Sequence, residues 1–184
     1  MLNKVKTKLK RVLRGEFSTE ELISLGLKVG KNFSRQEEVK IDPSHCELIS
    51  IGDNVILAPR VHILAHDAST KPFLESTKVG RVTIGNNVFI GAGSIILPNV
   101  KIGNNVVVGA GSVVTRDVED NSVVSGNPAK FIKHTSEFIE KNKQLMETSA
   151  VFGAKYKADT PSIAQRKKDM IDATKDRIAF SSSK

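Results

Sequence analysis

The chain has 184 residues, a formal charge of +8, 39% apolar residues, 5% aromatics and no Trp. That length suits one domain with appendages, and no run approaches the ~18 apolar residues of a membrane span. The single cysteine, Cys46, excludes an internal disulfide framework and fits a reducing compartment, and the charged N-terminus lacks the apolar core of a secretory signal, so the expectation is a cytoplasmic protein.

Residues 1–24 read as a basic helical segment. Lys4, Lys6, Lys8, Lys10, Arg11 and Arg14 have no acid among them through residue 14, and Leu2, Val5, Leu9, Val12 and Leu13 give the helix an apolar side. The first reading is a solvated face; the second is contact with an anionic membrane surface. Nucleic acid is not expected, since there is no recognition motif and few aromatics that could stack on bases. Ser18 with Glu21 three positions on forms a capping-box pattern, flanked by Phe17 and Leu22 as a hydrophobic staple, and Gly26 ends the short helix.

From here the sequence counts in sixes. Ile84, Ile90, Ile96, Ile102, Val108 and Val114 are all β-branched, and four places after each stand Val88, Ser94, Val100, Val106, Ser112 and Val118. An earlier block runs through Ile51, Leu57 and Ile63, with Val55 and Val61 four places after the first two. A period of six fits neither a helix nor an alternating strand. It fits two-sided short strands joined by tight turns, where "IGDN" and "IGNN" supply the Gly, Asn and Asp that such turns need. Three hexapeptides make one triangular coil, and about five stacked coils bury ladders of Val, Ile and Leu.

The count fails at "VHILAHDAST", residues 61–70. Ile63 points inward, so Leu64 to His66 should run out around a turn. Asp67 falls where a small inward residue is due, and an unpaired carboxylate is costly to bury. Residues 67–82, which are polar and include Pro72 and Gly80, then read as a loop projecting from the rod. After residue 133 the composition changes to "SEFIEKNKQLME" and "SIAQRKKDMIDATKDRIAF", two amphipathic helical pieces separated by a turn around Thr160 and Pro161. Residues 134–184 are expected to be a helical extension, frayed over 181–184, with His134 as a linker residue.

The stretches "IGDNVILAPRVHILAHD", "IGNNVFIGAGSIILPNVKIGNNVVVGAGSVVTRDV" and "SGNPAKFIK" resemble the hexapeptide-repeat acyltransferases. The branch is similar to galactoside and maltose acetyltransferases and to bacterial surface-polysaccharide O-acetyltransferases. The resemblance covers residues 25–133 and implies an all-β fold: a left-handed parallel β-helix of hexapeptide repeats with a short N-terminal helix, a projecting loop and C-terminal α-helices. That hand departs from the usual crossover rule and comes from the family. The resemblance also implies a homotrimer with sites in the grooves between subunits, and acetyl-CoA as co-substrate without a metal.

By this resemblance His66 is the general base, a role that suits an imidazole near neutrality. Ala92 and Ala110 would offer close backbone contacts to the pantetheine, Thr115 and Arg116 would lie near the nucleotide end, and Lys130 and Lys133 would meet the phosphates. His45, His62, Asp42 and Glu47 are candidates for the acceptor side. His45 stands 17 residues before His62, about one coil away. The group that orients His66 is Asp42 or Glu47, since Asp67 is adjacent in sequence and poorly placed. Residues 34–50 depart from the family pattern in length and composition. The expected function is acetyl-CoA-dependent O-acetylation of a sugar or surface-polysaccharide hydroxyl. The alternatives are a zinc-dependent γ-carbonic-anhydrase-like enzyme recruiting His45, His62 and His66, or a non-catalytic membrane-surface scaffold.

Overall fold

The computed structural model describes residues 17–159 and 162–182. Most of the basic segment, residues 1–16, and the turn at Thr160 and Pro161 lie outside them. The chain divides into two compact units between Thr135 and Ser136. No helix among the described residues is long and apolar enough to cross a membrane.

The first unit opens with α1 (Thr19–Ser24). Ser18 Oγ accepts from Glu21 N at 3.0 Å while the Glu21 side chain reaches back to the Ser18 N–H, so both halves of the capping box form. Gly26, at φ +110°, carries the chain out of the helix. The rod follows. Coil one is β1 (Lys28–Val29), β2 (Ser34–Arg35) and β3 (Lys40–Ile41); coil two is β4 (Ile49–Ile51), β5 (Ile56–Leu57) and β6 (His62–Ile63). An excursion then carries β7 (His66–Asp67), α2 (Lys71–Leu74) and β8 (Lys78–Val79). Coil three is β9 (Val82–Ile84), β10 (Phe89–Ile90) and β11 (Ile95–Ile96), and coil four is β12 (Val100–Ile102), β13 (Val107–Val108) and β14 (Val113–Val114). The described residues thus make four complete coils. A fifth begins with Val118 bridging to Ile102 and with β15 (Ser122–Ser125); β16 (Lys130–His134) then folds back antiparallel on β15 and ends the rod. His134 is therefore a strand residue opposite Ser122, with its ring on Phe131, and not a linker.

Three parallel faces result: β1-β4-β9-β12, then β2-β5-β10-β13-β15, then β3-β6-β11-β14. One inward ladder stands behind each. Ile51, Ile84 and Ile102 line the first, Leu57, Ile90 and Val108 the second, and Ile41, Ile63, Ile96 and Val114 the third, all buried. A narrow prism has room for these branched chains and little else, which explains the scarcity of aromatics. Ser94 and Ser112 also point inward and are fully buried, each donating its hydroxyl to the Gly109 carbonyl.

The corners follow from turn chemistry. Between the first and second faces the backbone is left-handed at Asn32, Asn54, Asn87, Asn105 and Asn121. Their amides hydrogen-bond from coil to coil at 2.8–3.0 Å, an asparagine ladder along one edge of the rod. Gly85 sits beside this ladder because a Cβ there would come 2.7 Å from the Gly103 carbonyl oxygen.

The second unit holds α3 (Thr135–Glu147) from its second residue on, α4 (Ala154–Asp159) and α5 (Ile163–Ala173), the last capped by Ser162. It is not wholly helical: β17 (Val151–Phe152) pairs in parallel with β18 (Phe180–Ser181). Ser181 is thus a paired strand residue where fraying was expected, and Ser182 N donates to the Phe152 carbonyl. Tyr156 stacks edge-on against buried Phe152 and donates its hydroxyl to Asp169 at 2.7 Å. Burial and the neighbouring Asp169 carboxylate push the tyrosine hydroxyl up, while that bond and one from Gln165 hold Asp169 below the usual carboxylate range.

Candidate functional site

Two insertions break the rod's regular repeat, and together they build the site. Consecutive coils three and four are 18 residues apart, as Phe89 opposite Val107 shows. Coils one and two are 22 apart, with Lys40 opposite His62. The extra length is residues 42–48, which leave β3, form a 3₁₀ turn at Cys46–Leu48 and return at β4. Coils two and three are 33 apart, with Leu57 opposite Ile90. Here the extra length is the projecting segment.

That segment is ordered. β7 pairs antiparallel with β8, and between them lie a 3₁₀ turn at Ala68–Thr70 and α2. Asp67 avoids the unpaired burial that its place in the repeat would impose. Its carboxylate lies 2.5 Å from Lys78 Nζ and accepts from Ser69 N, and these contacts hold it well below the usual carboxylate range. Phe73 at the tip is 84% exposed.

His66 stands where the coil gives way to this hairpin, its side chain 36% exposed. Its Nδ1 hydrogen-bonds to Asp42 Oδ2. The Asp42 side chain is 1% exposed, and its carboxylate also accepts from Ser44 N and Ala65 N at 3.0 and 3.1 Å. Three donors thus satisfy a buried carboxylate, which the first insertion supplies and the second insertion's histidine meets. Ala65 is fully buried, so the chain turns outward only at His66, later than the repeat count suggests.

This placement corrects two expectations. Asp42 cannot reach an acceptor, because its side chain is buried and its oxygens are occupied; it holds the histidine. His45 is not stacked beneath His62, because the insertion lengthens that coil and brings Lys40 opposite His62 instead. His45 lies on the insertion, with its ring 5.5 Å from the His66 ring in an edge-to-face arrangement. Glu47 lies 3.6 Å from His45 Nδ1, and the carboxylate on His66 is that of Asp42. His62 is half-buried on the outer side of β6. Cys46 is buried beneath the insertion, donating to the Asp42 carbonyl, and burial pushes its thiol up. Among the described residues, no three of His, Cys, Asp and Glu are grouped to hold a metal ion.

The residues expected on the donor side are spread along the rod. Ala92 and Ala110 occupy equivalent turns between the second and third faces, joined by the bond from Gly111 N to the Ala92 carbonyl. Gly93 and Gly111 beside them have left-handed backbone, a position taken by Arg60 one coil earlier. Thr115 and Arg116 lie past β14, at the opposite edge of the third face; Thr115 continues the column of Leu64 and Leu97, on the His66 side. Lys130 and Lys133 are on β16, pairing with Ser125 and Val123. Arg116 also borders a recess of about 350 Å³ with Phe131, His134 and Ala129.

The bacterial transferase hexapeptide family, described by six repeats, matches residues 81–116. Protein CapG of Staphylococcus aureus is 45% identical over 129 residues, covering 67% of this chain and 74% of the relative. Among solved structures, a galactoside acetyltransferase in complex with coenzyme A superposes with a TM-score of 0.56 at 34% identity, covering 62% of this chain and 58% of its own length. A maltose O-acetyltransferase from Clostridium difficile 630 gives 0.52 at 32% identity, over 71% of this chain and 84% of its own. The repeat, the four stacked coils and these likenesses agree: the chain belongs to the hexapeptide-repeat acetyltransferases, whose rod is a left-handed parallel β-helix.

Proposed function

We propose that this protein transfers an acetyl group from acetyl-CoA to a hydroxyl of a sugar or surface polysaccharide, with His66 as general base and Asp42 as its positioning residue. The observation that carries this reading is the buried Asp42 carboxylate bound to Nδ1 of a half-exposed histidine. A carboxylate can only accept, so Nδ1 carries the proton and Nε2 keeps the lone pair. Nε2 removes the acceptor's hydroxyl proton as that oxygen attacks the thioester carbon. The Asp42 charge stabilises the imidazolium that forms. The tetrahedral intermediate collapses with cleavage of the C–S bond, and the departing thiolate takes the proton back from Nε2.

The coenzyme A of the galactoside acetyltransferase structure supports the donor assignment. Ala92, Ala110, Thr115, Arg116, Lys130 and Lys133 are the proposed contacts. They lie on two edges of the third face and on β16, a spread that suits a groove between copies, where one edge of each copy meets the other. A homotrimer in the cytoplasm is the proposed assembly.

The test is acetyl transfer by the purified chain, followed by thiol release, with methyl glycosides of glucose, galactose and mannose as acceptors. His66→Ala is expected to cut turnover at least about 100-fold while calorimetry shows acetyl-CoA still bound. Replacing Lys130 and Lys133 by Ala is expected to weaken acetyl-CoA binding. Undiminished turnover in His66→Ala would overturn the assignment.

A further inference from the structure

The site holds a second imidazole that the transfer chemistry leaves unused. His45 and His66 come from different insertions, yet their rings sit edge to face with centroids 5.5 Å apart. Their side chains are similarly open, 33% and 36% exposed. Each has a carboxylate at Nδ1: Asp42 on His66, and Glu47 at 3.6 Å on His45. In both rings Nε2 is therefore the nitrogen left for a ligand. One transferred proton needs only one of them.

The two pairs are unequal in a way that separates their roles. Asp42 is buried and makes a hydrogen bond, which fixes a base. Glu47 is 59% exposed and only within ion-pair reach, so it orients the His45 ring loosely and does not fix it. An imidazole held this way offers Nε2 for a hydrogen bond to a neighbouring hydroxyl. Resting on the acetyl-transfer reading above, we infer that His45 is an acceptor-specificity residue. It binds a second hydroxyl beside the one that His66 deprotonates, so the preferred acceptors carry two hydroxyls on adjacent carbons. The lengthening of the first coil, from the regular 18 residues to 22, is what places this second reader in the site.

The experiment compares each acetylated methyl glycoside with its monodeoxy derivatives lacking a hydroxyl next to the acetylated position, which is located by NMR. For wild type, kcat/KM for the parent is expected to exceed that for one adjacent-deoxy derivative by about tenfold, the value of one hydrogen bond. His45→Ala should lower kcat/KM for the parent mainly through KM and bring the parent and deoxy values together. His45→Gln retains a hydrogen-bonding terminus and should restore part of the ratio. Unchanged acetyl-CoA affinity in both variants checks folding. If His45→Ala slows both substrates equally and the ratio survives, His45 does not read the acceptor and the inference is wrong. If wild type acetylates no glycoside in the panel, the acetyl-transfer reading for sugars fails and this inference falls with it.

Discussion

At the scale of single residues, the site depends on which carboxylate meets which imidazole. Asp42 meets His66 because it is buried and its carboxylate accepts from Ser44 N, Ala65 N and the imidazole. Asp42→Asn should keep one acceptor oxygen but face the imidazole with an amide that can drive it to the other tautomer. Turnover is expected to fall roughly 100-fold or more, with stability reduced by about 1 kcal/mol; kinetics and thermal melting of the same preparation separate the two effects. Asp67 behaves differently. Its carboxyl is held low by Lys78 and by Ser69, so the hairpin contact is fully present above the ordinary carboxylate value of about 3.9 and is lost only as pH falls through the lower folded value. An NMR titration should find Asp67 below that ordinary value, and Lys78→Met should move it upward. A titration identical in both proteins would remove Lys78 as the cause.

At the scale of elements, the turns rather than the strands carry the local specificity. The strands of the four coils are two to three residues long and interchangeable in composition; the asparagine corners are not. Asn87 has φ +55°, accepts from Asn54 and donates to Asn105, both at 3.0 Å. Asn87→Gly keeps the backbone at ease but drops both amide bonds, a loss of about 1 kcal/mol. Asn87→Ala drops them and adds the left-handed penalty of roughly 1–2 kcal/mol. Chemical denaturation should therefore rank wild type above Gly and Gly above Ala. The reverse order for the two variants would mean that the left-handed backbone imposes no cost on alanine at this corner. These corners are legible from the order of residues alone, because Asn and Gly recur at fixed offsets. The insertion at residues 42–48 is not, because its 3₁₀ turn has no period and its length shifts every later residue against the first coil.

At the scale of the whole molecule, stability comes from ladders that run through all coils. Ile96 is fully buried between Ile63 and Val114, whereas Ile95 on the same strand faces outward. Ile96→Ala should cost about 2–5 kcal/mol, and Ile95→Ala should cost less than about 1 kcal/mol. Equal losses in denaturant midpoint would contradict the inward and outward assignment of the third face. The six-residue count, the identity of the inward side chains and the failure of the repeat after Ile63 all follow from local chemistry: branched apolar residues at fixed spacing, and positive-φ residues between them. The partnership of Asp42 with His66 and the meeting of His45 with the same ring do not. They join residues that are distant in the chain across two irregular segments, and such a contact exists only when neighbouring coils stack in register and fix where each insertion leaves and rejoins the rod.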